Sequence, residues 1–375
     1  MIPIAKPYLT SDEAQLAYKT IESGWVTQGP RVAEFEENFA KYAGAKYAVA
    51  VSNCTTALHL AMIISGIGKG DEVICPSMSY IATANSIKYV GAKPVFAEIN
   101  PINYNLDIHH VKKLINKNTK AILLVHQIGM PANIEEFQKL CKDKKLLLIE
   151  DAACAVGSAY KGKKIGSHSE IVCFSFHPRK VITTGDGGMI TTSNEKYANR
   201  LKLLRQHGMS ISDTARHKSQ KILFEEHLEV GYNYRMTDIQ AAVGIKQLEK
   251  LDWIVSERRK IALKYHKELK NIDCIRLPIE EKGYFSNYQS YSIYIMKNAP
   301  VSRNELMEKM LAHGISTRRG IMTSHREPAY ISDCKGIKLP QTEDASDNSI
   351  LIPLFIPMTN IEVEKVIEIL RKFLS

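Results

Sequence analysis

Ser175-Phe176-His177-Pro178-Arg179-Lys180-Val181-Ile182-Thr183-Thr184-Gly185-Asp186-Gly187-Gly188-Met189 is the stretch on which the reading of this chain turns. It follows Ile171 to Phe174, an apolar run that reads as a buried strand. Lys180 stands on a tight segment beyond that strand, with Ser175 upstream and a Gly-rich turn after it. A lysine held out of water can lose its proton and attack a carbonyl. A hydroxyl and exposed backbone N–H groups beside it can hold a phosphate. Alone, a lysine in a loop is most often a solvated surface charge, so the rest of the chain must supply the context.

Upstream, Lys145 to Ile149 is a second continuous apolar run and ends in Glu150-Asp151-Ala152-Ala153-Cys154-Ala155-Val156-Gly157. An acid at the carboxyl end of a parallel strand lies on the edge where open α/β sheets bind ligands. Asp151 there suits a protonated pyridine nitrogen; capping a following helix is the other reading. Ser52-Asn53-Cys54-Thr55-Thr56-Ala57-Leu58 follows the strand Tyr47 to Val51 and opens a helix. Free N–H groups and the helix dipole make such a start an anion site, although a capped helix without a ligand is common. Pro76 to Thr83 follows the strand Glu72 to Cys75, and Tyr80 within it suits either the face of a flat ring or the core. An activated lysine, an acid for a ring nitrogen and a phosphate cradle are together what pyridoxal phosphate requires.

Around these segments the chain alternates strands and helices. Further strands are expected at Pro94 to Glu98 and Lys120 to His126, with helices such as Ile134 to Lys142 between them. Helices at Asp12 to Ile21 and Val32 to Tyr42 come first. This βαβ rhythm predicts an α/β fold with a mostly parallel central sheet covered on both faces. A helix after Ala241 runs to about Leu269, and a smaller α+β region follows, with a strand at Gln289 to Met296 and a helix at Arg303 to Ala312. Thr359-Asn360-Ile361-Glu362 is a capping box for the last helix. The expected division is a large cofactor domain over 1–240 and a smaller C-terminal domain over 241–375.

Composition excludes several classes. Hydrophobic residues make up 45% and charged residues 24%, ordinary for a globular protein. The net charge of +10 is spread over segments such as Lys112-Lys113 and Arg258-Arg259-Lys260, without interleaved aromatics. Solvated helix faces explain it better than nucleic-acid binding, although a basic surface attracts a nucleotide diphosphate. Met1 to Lys6 lacks a secretory pattern, and runs such as Ala121 to Val125 are too short to span a bilayer. The seven scattered cysteines lack C-x-x-C spacing, so free thiols in a reducing cytoplasm are expected, with neither metal nor disulfide. A nicotinamide-binding Rossmann reading fails because Ser52 to Ala57 lacks G-x-G-x-x-G.

Taken in order, these segments resemble the DegT/DnrJ/EryC1/StrS family of nucleotide-sugar aminotransferases that use pyridoxal phosphate. Ser23-Gly24-Trp25-Val26-Thr27-Gln28-Gly29-Pro30 with Phe35-Glu36 resembles its early signature, and Gly231-Tyr232-Asn233-Tyr234-Arg235-Met236-Thr237-Asp238-Ile239-Gln240-Ala241-Ala242 its late one. The resemblance implies fold type I architecture, with Lys180 as the Schiff-base lysine and Asp151 as the pyridinium partner. It implies phosphate ligands at Ser175, Thr55 and Thr56, a ring-stacking aromatic at Tyr80, and Asn233 reaching the phosphate of a neighbouring subunit. A homodimer with shared sites follows from that last match. Two departures stand out: Cys154 replaces the His or Gln that many members place near the ring oxygen, and Thr317-Arg318-Arg319-Gly320-Ile321-Met322 lacks the usual tyrosine after its arginine. Arg318, His325 and Arg235 are the candidates to meet substrate, with Arg235 equally suited to an interface ion pair. His177 is either a second acid/base or structural.

The implied reaction is a two-stage transamination. Glutamate yields 2-oxoglutarate and the pyridoxamine phosphate form, which then aminates a nucleotide-linked ketosugar. A 4-keto-6-deoxyhexose destined for a surface glycan is favoured over a 3-keto sugar. A related branch with His for Lys performs dehydration, which Lys180 argues against. A non-catalytic protein regulating through the same fold is the alternative; the intact Lys180 and Asp151 weigh against it.

Overall fold

The computed structural model describes residues 1–211, 216 and 221–374. Its strands run in chain order as β1 (Tyr47–Val51), β2 (Glu72–Pro76), β3 (Lys93–Ala97), β4 (Thr119–Val125), β5 (Leu147–Asp151), β6 (Ala159–Tyr160), β7 (Lys163–Lys164), β8 (Ile171–Ser175) and β9 (Gly188–Thr192). The largest sheet among the described residues has the order β1-β9-β8-β5-β4-β2-β3. Its pairs from β8 to β3 are parallel, while β9 is antiparallel to both β8 and β1. The expected α/β class and mostly parallel sheet are therefore present. Antiparallel neighbours need no helical crossover, so β8 and β9 are joined by the loop 176–187 that carries Lys180.

Both faces of the sheet are covered, which is why its central strands are apolar throughout. The helices up to this point are α1 (Ser11–Glu22), α2 (Pro30–Ala43), α3 (Cys54–Ile64), α4 (Ala82–Tyr89), α5 (Ile108–Leu114), α6 (Ile134–Lys144), α7 (Glu195–Leu204) and α8 (Asp238–Leu269). Val32, Phe35 and Phe39 of α2, Phe137 of α6 and Leu251 of α8 pack with Ile122, Leu124, Val172 and Phe174 on one face. Leu58 and Ala61 of α3, Ile87 of α4 and Leu201 of α7 pack with Leu123, Ile149 and Cys173 on the other. β5 starts two residues later than the apolar run suggests, because Lys145 takes a left-handed φ of 55° as the C-cap of α6. Asp151 is thereby the last residue of the strand.

The early and late signature segments meet in space. Asp238, fully buried at the start of α8, accepts the backbone N–H groups of Gly29 (2.7 Å), Arg31 (3.0 Å) and Val32 (2.9 Å), capping α2. Its own N–H donates to the Thr27 carbonyl at 2.9 Å. A β-carbon at Gly29 would lie 2.6 Å from the Trp25 ring and 2.8 Å from Asp238 Oδ2, so glycine is required there. Glu36, the acid of the early signature, takes the Ala50 N–H at 2.8 Å and a buried ion pair from Arg205, tying α2 to β1.

Beyond α8 a second sheet has the order β10-β12-β14-β13, built from β10 (Ile275–Arg276), β12 (Tyr291–Ile295), β13 (Arg318–Arg319) and β14 (Ser349–Ile352). β11 (Tyr284–Phe285) instead pairs with β6. Helices α9 (Arg303–Ala312), α10 (Pro340–Asn348) and α11 (Asn360–Leu374) complete the chain, α11 starting at the expected Thr359–Glu362 capping box. α8 begins at Asp238, set by a capping box between Thr237 and Gln240, so residues 240 and 241 lie inside one continuous helix. Among the described residues no helix is long and apolar enough to cross a membrane, and no group of three His, Cys, Asp or Glu could hold a metal.

α1 is fastened to α8 through Glu13. Burial pushes the Glu13 carboxyl up, but hydrogen bonds from Gln247, Lys250 and Thr10 outweigh it and hold the group at about 2. A carboxylate with a depressed folded pKa stabilises fully above its ordinary value of 4.5, and that stability is lost as pH falls towards about 2. Glu13→Gln should therefore cost about 2 kcal/mol at neutral pH and flatten the loss of stability between about pH 4.5 and 2. Denaturant unfolding across that range checks it; an unchanged acid limb would contradict the assignment.

Candidate active site

The loop 176–187 is closed at its base by backbone bonds. Phe176 N–H donates to Gly187 C=O at 2.9 Å, and Thr184 N–H to Phe176 C=O at 3.1 Å. Phe176 is fully buried against Phe35 and Phe39, and Val181 and Ile182 are buried as well. Lys180 therefore projects from an anchored loop, with Nζ 3.1 Å from Cys154 Sγ. Burial pushes the Lys180 ammonium down, but Cys154, Cys54 and Asp151 push it up and prevail. Burial and Asp151 push the Cys54 thiol well up, while Lys180 pulls it down.

Asp151 is 4% exposed at the carboxyl edge of β5. No helix follows it: its Oδ1 accepts the Ala153 N–H at 3.1 Å and its Oδ2 accepts the Thr83 hydroxyl at 2.8 Å. Thr83 is in turn 2.7 Å from Ser79 Oγ. Burial pushes the Asp151 carboxyl up against Thr83, the Ala153 N–H and Lys180, which lower it. A buried carboxyl raised in this way gains from a cation, and a protonated ring nitrogen is one.

The start of α3 lies beside this pair. Asn53 caps the helix, accepting the Thr56 N–H at 2.9 Å. The Thr56 hydroxyl is spent on the same cap, donating to the Asn53 carbonyl at 2.7 Å. Thr55 is half-buried on the first turn, where N–H groups have no intrahelical acceptor. β9 presses on this turn: a β-carbon at Gly188 would lie 2.4 Å from Asn53 O and 2.8 Å from Cys54 N. Gly188 is in register with Ser175, so that hydroxyl, 6% exposed, stands next to the helix start. Free first-turn amides, two hydroxyls, a lysine and a buried acid match pyridoxal phosphate, so the residues present fit the group.

The remaining expected residues divide. Tyr80 is 66% exposed just before α4, and Asn233 is exposed on a segment bridged to Gln206. Arg235 is half-buried two residues on. Arg318 is exposed on β13, its guanidinium pushed down by burial and by the charge of Arg179. His325 departs from expectation: it is 5% exposed and both ring nitrogens are engaged, Nδ1 with Ser77 Oγ at 2.6 Å and Nε2 with Glu343 Oε1 at 3.2 Å. It fastens the chain after β13 to the end of β2 and offers no free face to a ligand. His177 Nδ1 accepts the Arg179 N–H at 3.2 Å, which favours the structural reading of this residue.

Sequence reasoning missed Thr83 and Asn287. Thr83 lies four residues after Ser79 at a helix start, a spacing that brings two hydroxyls together, but its acid partner is far away in the chain. Asn287, fully buried, donates to the carbonyls of Cys154 (2.9 Å) and Val156 (2.7 Å) and pins the turn after Asp151. Nothing in its local sequence signals that role.

The family model for the DegT/DnrJ/EryC1/StrS aminotransferases matches residues 7–371. The chain is 36% identical over 375 residues to GDP-perosamine synthase of Escherichia coli O157:H7, covering 100% of this chain and 99% of that protein. The aminotransferase TlmJ of Streptoalloteichus hindustanus superposes with a TM-score of 0.92 at 32% identity, covering 100% and 99% of the two chains. Spr1654 of Streptococcus pneumoniae, solved in PLP and PMP forms, gives TM-scores of 0.92 and 0.94 at 26% and 25% identity. All of this chain aligns with both forms, over 100% and 99% of theirs. With its type I fold and a pocket that suits pyridoxal phosphate, this chain belongs to the DegT/DnrJ/EryC1/StrS family and is a sugar aminotransferase dependent on that cofactor.

Proposed function

We propose that this enzyme transfers the amino group of glutamate to a nucleotide-linked 4-keto-6-deoxyhexose, in the cytoplasm, to make an aminosugar for a surface glycan. The observation that carries the reading is the buried Asp151 with the half-buried Lys180 near it, beside the start of α3. The name of the GDP-perosamine synthase, 36% identical over the whole chain, supports a nucleotide-linked sugar and makes GDP the first nucleotide to test.

When bound, pyridoxal phosphate supplies an aldehyde for an amine and a ring that takes up electrons from a breaking C–H bond. Lys180 holds and moves the proton, first at the donor Cα and then on the sugar carbon that receives nitrogen. Asp151 keeps a proton on the ring nitrogen, with Thr83 and the Ala153 N–H fixing its carboxylate. The first-turn amides of α3, Thr55 and Ser175 bind the phosphate, and Thr56 serves by shaping the turn. Tyr80 would cover the ring, and Cys154, beside Lys180, would stand near its oxygen. Arg318 and Arg179, two guanidiniums that repel one another across the rim, suit a diphosphate. We place the cofactor machinery in 1–240 and the substrate rim chiefly in 241–375, with α8 crossing between them.

A second copy of the chain completes the site through Asn233. Beside it run Ile222 (85% exposed), Phe224 (86%), Leu228 (61%) and Val230 (88%), exposed apolar side chains of the kind that a partner subunit covers.

Glutamate with a GDP-linked 4-keto-6-deoxyhexose should yield 2-oxoglutarate and an aminosugar in equal amounts, followed by mass spectrometry. Turnover with 3-keto sugars alone would overturn the regiochemistry, and turnover with no ketosugar the substrate class. Lys180→Ala and Asn233→Ala should each abolish most activity, whereas mixed subunits should regain part of it, because each hybrid contains one intact site. No recovery after demonstrated subunit exchange would contradict shared sites.

A further inference from the structure

His126 and Glu150 lie against the sheet on the side away from the cofactor pocket. Side chains alternate along a strand, so Glu150 points opposite to Asp151, into the layer of Ile122, Leu124 and Val172. Both side chains are wholly buried, with His126 Nε2 2.8 Å from Glu150 Oε2. The other ring nitrogen, Nδ1, accepts the Ala132 N–H at 3.0 Å. A nitrogen that accepts an amide hydrogen carries no proton of its own, so Nε2 bears it and donates to Glu150. The His126 backbone N–H donates to the Asp151 carbonyl at 3.1 Å.

The next residue extends the link. Gln127 N–H donates to Asn105 Oδ1 at 2.9 Å, and its side-chain amide donates to the Met78 carbonyl. Met78 belongs to the segment that delivers Thr83 to the Asp151 carboxylate. One turn thus joins the strand end that carries Asp151 to the segment that orients it. That turn holds Ile128 at φ 48°, an uncommon conformation for a β-branched residue, so other contacts must enforce it. Glu150 Oε1 is buried without a hydrogen-bond partner, a burden that an apolar residue would avoid.

We propose that His126, braced by Glu150, is a positioning residue for Asp151, fixing the depth and direction at which its carboxylate meets the cofactor ring nitrogen. The inference rests on the role given above to Asp151. It is tested by a double-mutant cycle on cofactor affinity, measured by titrating pyridoxal phosphate back into resolved enzyme, with the absorption maximum as second readout. His126→Asn keeps an acceptor for Ala132 but cannot reach Glu150; Glu150→Met removes the brace, and Glu150→Gln retains it. With Asp151 intact, His126→Asn and Glu150→Met should each weaken binding about tenfold and shift the absorption maximum, while Glu150→Gln stays within about twofold. With Asp151→Asn, the same substitutions should change affinity less than about twofold. Equal losses in both backgrounds would mean a purely structural role and overturn the proposal. If Asp151→Asn alone leaves affinity and spectrum unchanged, the role of Asp151 falls instead, and this inference with it. Should His126→Asn fail to fold, Glu150→Met carries the same cycle.

Discussion

A carboxylate kept out of water at the end of a covered strand is the constraint around which this molecule is organised. Burying Asp151 costs free energy that two hydrogen bonds and the nearby Lys180 amine offset only in part, and the ring cation of the proposed cofactor would offset more. The parallel sheet makes such a position possible, because its strands are apolar on both faces and all end on one edge. The antiparallel strand β9 completes the arrangement. It lets a short loop, not a crossover helix, return from β8, and that loop brings Lys180 back over the same edge.

The supports of this edge come from distant parts of the chain. Asn287 pins the turn after Asp151, His325 ties the end of β2 to the chain after β13, and Asp238 joins α2 to the start of α8. Asn287 and Asp238 satisfy backbone groups, and His325 the side chains of Ser77 and Glu343; these partners would otherwise stand unpaired, so each loss costs more than the bond itself. The catalytic groups are few; what holds them is spread over most of the fold.

Much of this was legible in the sequence, and the reason is local. Lys180 and Asp151 stand just past apolar runs, and α3 follows β1 with a cap visible in Asn53 to Thr56. Strand, helix and cap are settled by neighbours within a few residues, so pattern reaches them. What was not legible depends on partners. Thr56 reads as a phosphate ligand until its hydroxyl is found on the Asn53 carbonyl. His325 reads as a substrate contact until Ser77 and Glu343 are found on its two nitrogens. Thr83, Asn287 and the pair His126–Glu150 act on residues that only the tertiary fold brings near. The start of β5 shifted for a local reason, the left-handed Lys145, which a rule of apolar runs does not see.

The central claim is that the amine on the anchored loop is the one that binds the cofactor. Borohydride reduction of the enzyme with pyridoxal phosphate, followed by peptide mapping, tests it most directly. The account predicts that the cofactor is fixed to Lys180 and that the visible absorption band is lost in step. Stoichiometric label on any other lysine would contradict it.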